Sequence, residues 1–147
     1  MTATANGQKT GRTVAGEELS ESLTQFVVVH NRQSSDRAER IADQAVAFVV
    51  TAATATVPMV PSDDVDLGLH ALILHTKEYA DLCQRFAGRF LYHNPKPGAG
   101  RRGPGMVAAS AQAMKAAGFM LFDDLWTVDG TNLAQCEADC GRPYGQA

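Results

Sequence analysis

The sequence predicts an all-α protein, a compact bundle of about five helices. Apolar residues recur at steps of three and four along several segments, as they do on the buried face of a helix. Serine and aspartate stand before these segments, at positions where their side chains cap helix starts. No segment alternates apolar and polar residues as a half-buried strand does.

The N-terminal third of the chain predicts a tail and two helices. Residues 1–15 are rich in Thr, Ala and Gly without periodicity, so we expect a disordered tail before a single helical domain at 16–147. A first helix is predicted at 17–30, opened by two glutamates near its positive end. Ser34 and its neighbours offer the N-cap of a second helix that runs to about residue 51. Its inward face is predicted to consist of Ala38, Ile41, Ala42, Ala45, Phe48 and Val49.

Two further helices are predicted in the middle of the chain. Ser62 is expected to cap the third, which turns Val65, Leu69 and Leu72 inward. Thr76 is expected to cap the fourth, from residue 77 to about residue 90.

The C-terminal third is less regular. Residues 94–105 are rich in Pro and Gly and predict a surface loop. Residues 106–117 are rich in alanine and predict a fifth helix, which Gly118 ends, with a short helical turn near 123–126. Residues 127–147 predict an irregular tail that contains two cysteines.

Composition excludes several classes of function. A net charge of −3 without a run of basic residues argues against nucleic-acid binding. The longest apolar stretch, residues 45–53, is far shorter than the ~20 residues that span a bilayer, so we expect no membrane insertion. Because the start has no apolar core of the signal-peptide kind, we expect a cytoplasmic location with reduced cysteines. No GxSxG, HExxH, P-loop or dinucleotide motif is present.

Residues 65–95 hold three of the four histidines and one of the three cysteines. Imidazole nitrogen and thiolate sulfur are the ligands that zinc prefers, so this density predicts a metal site. Cys83 is either a ligand or a small buried core residue. The candidate ligands are His70, His75, His93, Cys83, Cys136 and Cys140.

The spacing of these residues sets conditions on the site. On one unbroken helix, His70 and His75 would point about 140° apart, so a shared metal requires a break between them. Asp66 precedes His70 by four residues and can orient its ring by accepting its second N–H. His93 stands before a Pro-rich loop, where the chain leaves the helix and can fold back.

Two versions of the site follow. Cys136 and Cys140, four residues apart, would complete a closed Cys2His2 zinc site with two histidines. Three histidines without the tail would leave a position open for water or substrate. In the open version, Asp66 as the orienting carboxylate and Tyr79 as a proton donor are the candidate catalytic residues.

The same segment carries a family pattern. The residues that form it are Asp66, His70, Ile73, His75, Thr76, Tyr79, Cys83, Gly88, His93 and Pro95. Their spacing resembles that of the small actinobacterial "glycine-rich domain-containing" proteins, VDxxWHxxILHTxxYxxFC followed by Gly, His and Pro, over roughly residues 35–141. Leu69 stands where that family usually has Trp, and the tail holds two cysteines where relatives often hold three. The resemblance implies positions for ligand-type residues and no particular reaction.

From these residues we expect a small helical protein that binds a divalent transition metal, zinc before others, at a His/Cys site within residues 66–93. An open site would make it a small metalloenzyme of a specialised biosynthetic pathway, acting through a metal-activated water or a Lewis-acid step on an unidentified small molecule. The alternative is a metal-free helical adaptor that binds a partner protein through an exposed apolar face.

Overall fold

The structure, a computed structural model, describes residues 7–93 and 104–127. The helices are α1 (Gly11–Ala15), α2 (Glu17–Asn31), α3 (Ser35–Thr54), α4 (Asp63–Leu74), α5 (Thr76–Ala87) and α6 (Pro104–Ala116), followed by a 3-10 turn at Asp123–Leu125. The all-α prediction is confirmed, because the described ranges contain no strand. The cysteines of the tail and most of the predicted Pro/Gly loop lie outside these ranges. None of the described helices combines the length and apolar character that a bilayer span requires.

Helix α3 lies at the centre and packs against α1, α2, α4, α5 and α6. Eleven of its 20 residues are buried, including all six of the predicted inward face. A helix buried on most of its circumference must be covered from several sides. The other helices therefore take their positions from α3.

Local capping predicts the starts of α3 and α4 correctly. Ser34 and Ser62 each accept a hydrogen bond from the backbone N–H three residues on, as expected of N-caps. The start of α5 differs, since His75 and not Thr76 occupies the N-cap position. Gly88, in the left-handed conformation with φ 72°, ends α5 about three residues earlier than predicted.

Residues 7–15 are not a disordered tail, which corrects the sequence prediction. Thr10 caps the short helix α1 with its side chain. Gly11 is buried against α3, where an added Cβ would lie 1.9 Å from the carbonyl oxygen of Asp43. The prediction failed because a segment with few apolar residues is held by backbone contact with a distant helix, and no local periodicity records that contact. Residues 1–6 lie outside the described ranges.

The close approach of α4 to α3 depends on Gly68. A Cβ at this position would lie 2.8 Å from the Ala45 Cβ and 2.8 Å from the Ile41 carbonyl oxygen. Because no side chain separates the helices there, α4 brings Asp66 into the protein interior, where it is 1% exposed. His70, one turn further on, lies at the edge with 41% of its side chain exposed.

Candidate metal centre

The chain turns between α4 and α5 at one residue, His75. Its backbone lies at φ −81° and ψ 68°, outside the helical region, so α4 ends before it and α5 begins after it. This confirms the break that the sequence predicted between His70 and His75.

The break does not bring the His75 ring to His70. Its Nδ1 lies 2.7 Å from the carbonyl oxygen of Ala71, and its Nε2 lies 2.7 Å from the hydroxyl oxygen of Ser22. A carbonyl oxygen only accepts, so Nδ1 carries the proton and Nε2 accepts from the serine hydroxyl. The predicted ligand set is corrected here, because His75 ties α2 to the helix junction and lies outside the cluster of ligand-type residues.

His93 reaches α4 because the segment after α5 folds back. Leu91 is fully buried, and its N–H donates to the Cys83 sulfur at 3.4 Å. The hydroxyl of Tyr79 donates to the carbonyl oxygen of Leu91. Both polar groups of the Leu91 backbone are thus held by side chains of α5, two residues before His93.

This fold-back gathers a carboxylate and two imidazoles. One ligand atom each of Asp66, His70 and His93 lies within 4.8 Å of the others. The Nε2 of His70 is 3.2 Å from the Nε2 of His93 and 3.3 Å from the Oδ2 of Asp66. Among the described residues this is the one group of three or more His, Cys, Asp or Glu side chains arranged to hold an ion.

The distances match the size of a tetrahedral ion. Two ligand atoms that each lie 2.0–2.1 Å from a tetrahedral zinc ion are separated by about 3.3 Å. The two measured separations, 3.2 and 3.3 Å, are close to this value. The third separation, between Asp66 and His93, is at most 4.8 Å, so the three side chains are grouped closely enough to hold one ion.

Asp66 is the unusual member of the cluster. Neither of its carboxylate oxygens has a hydrogen-bond partner among the described residues, although Oδ2 lies close to His70. Burial, reinforced by the charge of Asp63, raises the pKa of Asp66 to about 7. A buried carboxylate without partners is costly, and either a proton or a cation reduces that cost.

The two histidines are in the protonation state that metal binding requires. Burial lowers the pKa of His70. Burial and the nearby charge of His70 lower the pKa of His93 to about 4. At neutral pH both rings are neutral and each can offer a nitrogen lone pair.

Cys83 and Tyr79 lie in the core beside the segment that carries His93, and burial of Cys83 is one of the two alternatives that the sequence predicted. Cys83 is 1% exposed, and burial raises the pKa of its thiol, which opposes the thiolate that a metal would bind. Tyr79 is buried, with its hydroxyl bound to the Leu91 carbonyl and close enough to influence the Cys83 thiol. Both side chains position the segment that carries His93. Cys136 and Cys140 lie outside the described residues.

Comparison with protein families places the cluster within a matched region. The UCP032817-like family matches residues 12–102, more than half of the chain. The chain belongs to this family. The UCP032817-like region contains Asp66, His70 and His93 and ends before Cys136 and Cys140. The family is one of unknown function, so the match brings no reaction with it. No curated protein and no solved structure matches the chain.

Sequence reasoning did not identify Ser22 as the partner of His75. The two residues are 53 positions apart, and serine on a helix carries no signal of its own. The contact depends on how α2 packs beside the α4–α5 junction, which no local pattern records.

Proposed function

We propose that this protein binds one divalent transition metal ion through Asp66, His70 and His93. The observation that carries the proposal is the buried Asp66 carboxylate, which faces two imidazole nitrogens and has no hydrogen-bond partner among the described residues. Buried polar groups without a partner are uncommon in folded proteins, and a bound ion would account for this one together with the neighbouring histidines.

Neither a proton on Asp66 nor a hydrogen bond between the two rings satisfies the whole cluster. A proton would remove the charge and could be donated to His70 Nε2 at 3.3 Å, but that nitrogen would then not be available to His93. A hydrogen bond between the rings would use one nitrogen of each histidine and leave the carboxylate unsatisfied. A divalent cation satisfies all three side chains at once.

Zinc is the first candidate for the ion, and the donor set also suits ferrous iron. Two histidines and one carboxylate bind catalytic zinc in metalloproteases and iron in non-haem oxygenases. Three protein ligands leave a position at which a water could be activated or a carbonyl polarised, which is the basis for proposing a small metalloenzyme. If Cys136 or Cys140 completed the coordination instead, the role of the metal would be structural. A cytoplasmic setting stays part of this proposal, as the sequence predicts.

Metal analysis of protein purified without an affinity tag tests the proposal. Elemental analysis of wild type should give close to one equivalent of metal, which His70→Ala and His93→Ala should both lose. His30→Ala is the matched control, since His30 is exposed and stacks on Phe26 in α2. Wild type without metal, after growth and dialysis with zinc or anaerobic ferrous iron, would refute the site.

A second measurement separates the open site from the closed one. Cobalt(II) substitution reports sulfur ligands through charge-transfer absorption, because thiolate coordination changes the electronic structure of the ion. We expect the same spectrum from wild type and from the Cys136→Ser, Cys140→Ser double variant. A sulfur band that the double variant loses would show a closed site and rule out the enzyme proposal.

The adaptor remains the alternative function, and one observation favours it. Phe90 and Tyr92 are 42% and 49% exposed, and their rings lie edge to face at 5.1 Å between centroids. Exposed aromatic pairs are common at protein interfaces. An adaptor would keep its melting temperature unchanged in chelator and in His70→Ala, whereas a metal protein would not.

A further inference from the structure

Outside the metal centre, Ser22 and His75 form a second pair with the geometry of a nucleophile and a base. The serine oxygen lies 2.7 Å from Nε2, and Nδ1 lies 2.7 Å from the Ala71 carbonyl oxygen. Since the carbonyl fixes the proton on Nδ1, the lone pair of Nε2 faces the serine hydroxyl. A serine nucleophile needs this arrangement, a base in hydrogen-bond reach and a third group that orients the base.

Separate helices hold the two side chains. Ser22 projects from α2, and His75 is the single residue between α4 and α5. The ring of Phe26 lies edge-on to the His75 ring, with 6.1 Å between centroids. The base is therefore constrained by its backbone, by a hydrogen bond and by a packed ring, which favours a defined geometry.

The pair opens onto a groove that can admit a small molecule. Ser22 is exposed, and the groove of about 440 Å³ that it lines together with His75 also has apolar walls, from Leu19 and Leu82. Three acidic and two basic side chains, those of Glu18, Glu78, Asp81, Lys77 and Arg85, add a small negative balance. The groove thus suits a neutral or cationic substrate with a short apolar group. α5 begins at this groove without a side-chain cap, so the N–H groups of its first turn, which includes the groove-lining Lys77 and Glu78, have no capping acceptor and can donate to an anionic oxygen.

We propose that Ser22 is a nucleophile, activated by His75, that accepts the acyl group of small neutral or cationic esters. His75 Nε2 takes the hydroxyl proton as the serine oxygen bonds to the ester carbonyl carbon. The bond from that carbon to the alcohol oxygen then breaks, and the alcohol leaves with the proton from His75. Water, deprotonated by His75, cleaves the acyl-serine, and the proton returns to the Ser22 oxygen. None of the three metal-binding side chains takes part.

The test uses the full chain with a fluorophosphonate probe and with p-nitrophenyl acetate. In the labelling reaction the serine oxygen bonds to phosphorus, the P–F bond breaks, fluoride leaves and His75 receives the proton. We expect peptide mapping to find the label on Ser22, with no label there and only background ester hydrolysis in Ser22→Ala. His75→Gln should slow labelling about 100-fold or more, as expected for loss of a general base. Ser35→Ala should label like wild type, because Ser35 is exposed on α3 and lies outside the groove.

A second pair of variants covers the case in which His75→Gln disturbs the helix junction. Iodoacetamide should alkylate residue 22 faster in Ser22→Cys than in the double variant Ser22→Cys, His75→Gln, because His75 is present only in the first. The two proteins are compared only if their circular dichroism spectra show the same folded state. Labelling of Ser22 no faster than that of the exposed Ser35 would overturn the proposal. Equal ester hydrolysis by wild type and Ser22→Ala would also overturn it.

Discussion

Asp66 is the residue whose burial has the clearest consequence for stability. Its folded-state pKa of about 7 lies above the ordinary value of 3.8, because burial disfavours the charge. Between these two pH values the folded protein holds a proton that the unfolded chain has released. In the metal-free protein, this carboxyl group therefore lowers the free energy of unfolding as the pH rises from about 4 to about 7.

Asp66→Asn should remove this dependence, because the amide is nearly isosteric and does not titrate. In the presence of chelator, we expect the variant to gain stability relative to wild type as the pH rises from 4 to 7, by at most about 4 kcal/mol at 1.36 kcal/mol per pH unit. Urea unfolding at a series of pH values measures the difference. His70 and His93, whose lowered pKa values act in the opposite direction, are present in both proteins and largely cancel.

The exposed Asp81 provides the control for this experiment. Asp81→Asn removes an exposed carboxylate, so it should not reproduce the gain in stability expected of Asp66→Asn. If the stability difference between Asp66→Asn and wild type does not change with pH, ionising Asp66 costs no free energy in the folded protein. The burial of Asp66 would then no longer support the proposed cation site.

At the scale of elements, the segment after α5 determines whether the candidate metal centre can form. Asp66 and His70 are four residues apart on one helix, so their side chains lie one turn apart. His93 joins them only because α5 ends at Gly88 and the backbone of Leu91 is bound by Tyr79 and Cys83. These two side chains would thus affect a bound metal through the position of His93.

Tyr79→Phe tests this positioning role. Loss of the hydroxyl leaves the buried Leu91 carbonyl without its donor, which should lower the free energy of unfolding by about 1–3 kcal/mol. Metal affinity, measured by competition with a chromophoric chelator, should fall several-fold because His93 is less firmly held. The exposed Tyr92→Phe should change neither quantity by a comparable amount. If Tyr79→Phe is destabilised but its metal affinity is unchanged, Tyr79 stabilises the core without positioning His93.

At the scale of the whole molecule, the sequence predicts the features that depend on residues close together along the chain. The caps at Ser34 and Ser62 and the break at His75 involve neighbours along the chain, so they could be read directly. The ring direction of His75 could not, because Ser22 in a distant helix sets it. The site prediction gathered ligand-type residues by their density in the sequence, and only packing could separate those that meet from those that do not.

Hydrogen bonds hold both ends of the described chain in the fold. Gln44 is fully buried; its amide donates to the Met120 carbonyl and its oxygen accepts from the Phe122 N–H and the Trp126 indole N–H. Near the other end, Lys9 exchanges backbone hydrogen bonds with the segment at Gly118 and Met120. The start of the described chain is thus part of the fold, and the helix that follows it can be tested by substitution.

Gly11→Ala separates a packed α1 from the disordered tail that the sequence predicts. An alanine Cβ would lie 1.9 Å from the Asp43 carbonyl oxygen, so α1 must move off α3 or distort it. We expect the free energy of unfolding to fall by about 1–3 kcal/mol, as in other overpacked sites. Gly105→Ala is the matched control, since its Cβ would meet nothing within 4 Å and alanine favours the helix. If Gly11→Ala unfolds at the same denaturant concentration as wild type, α1 does not pack against α3 at Gly11.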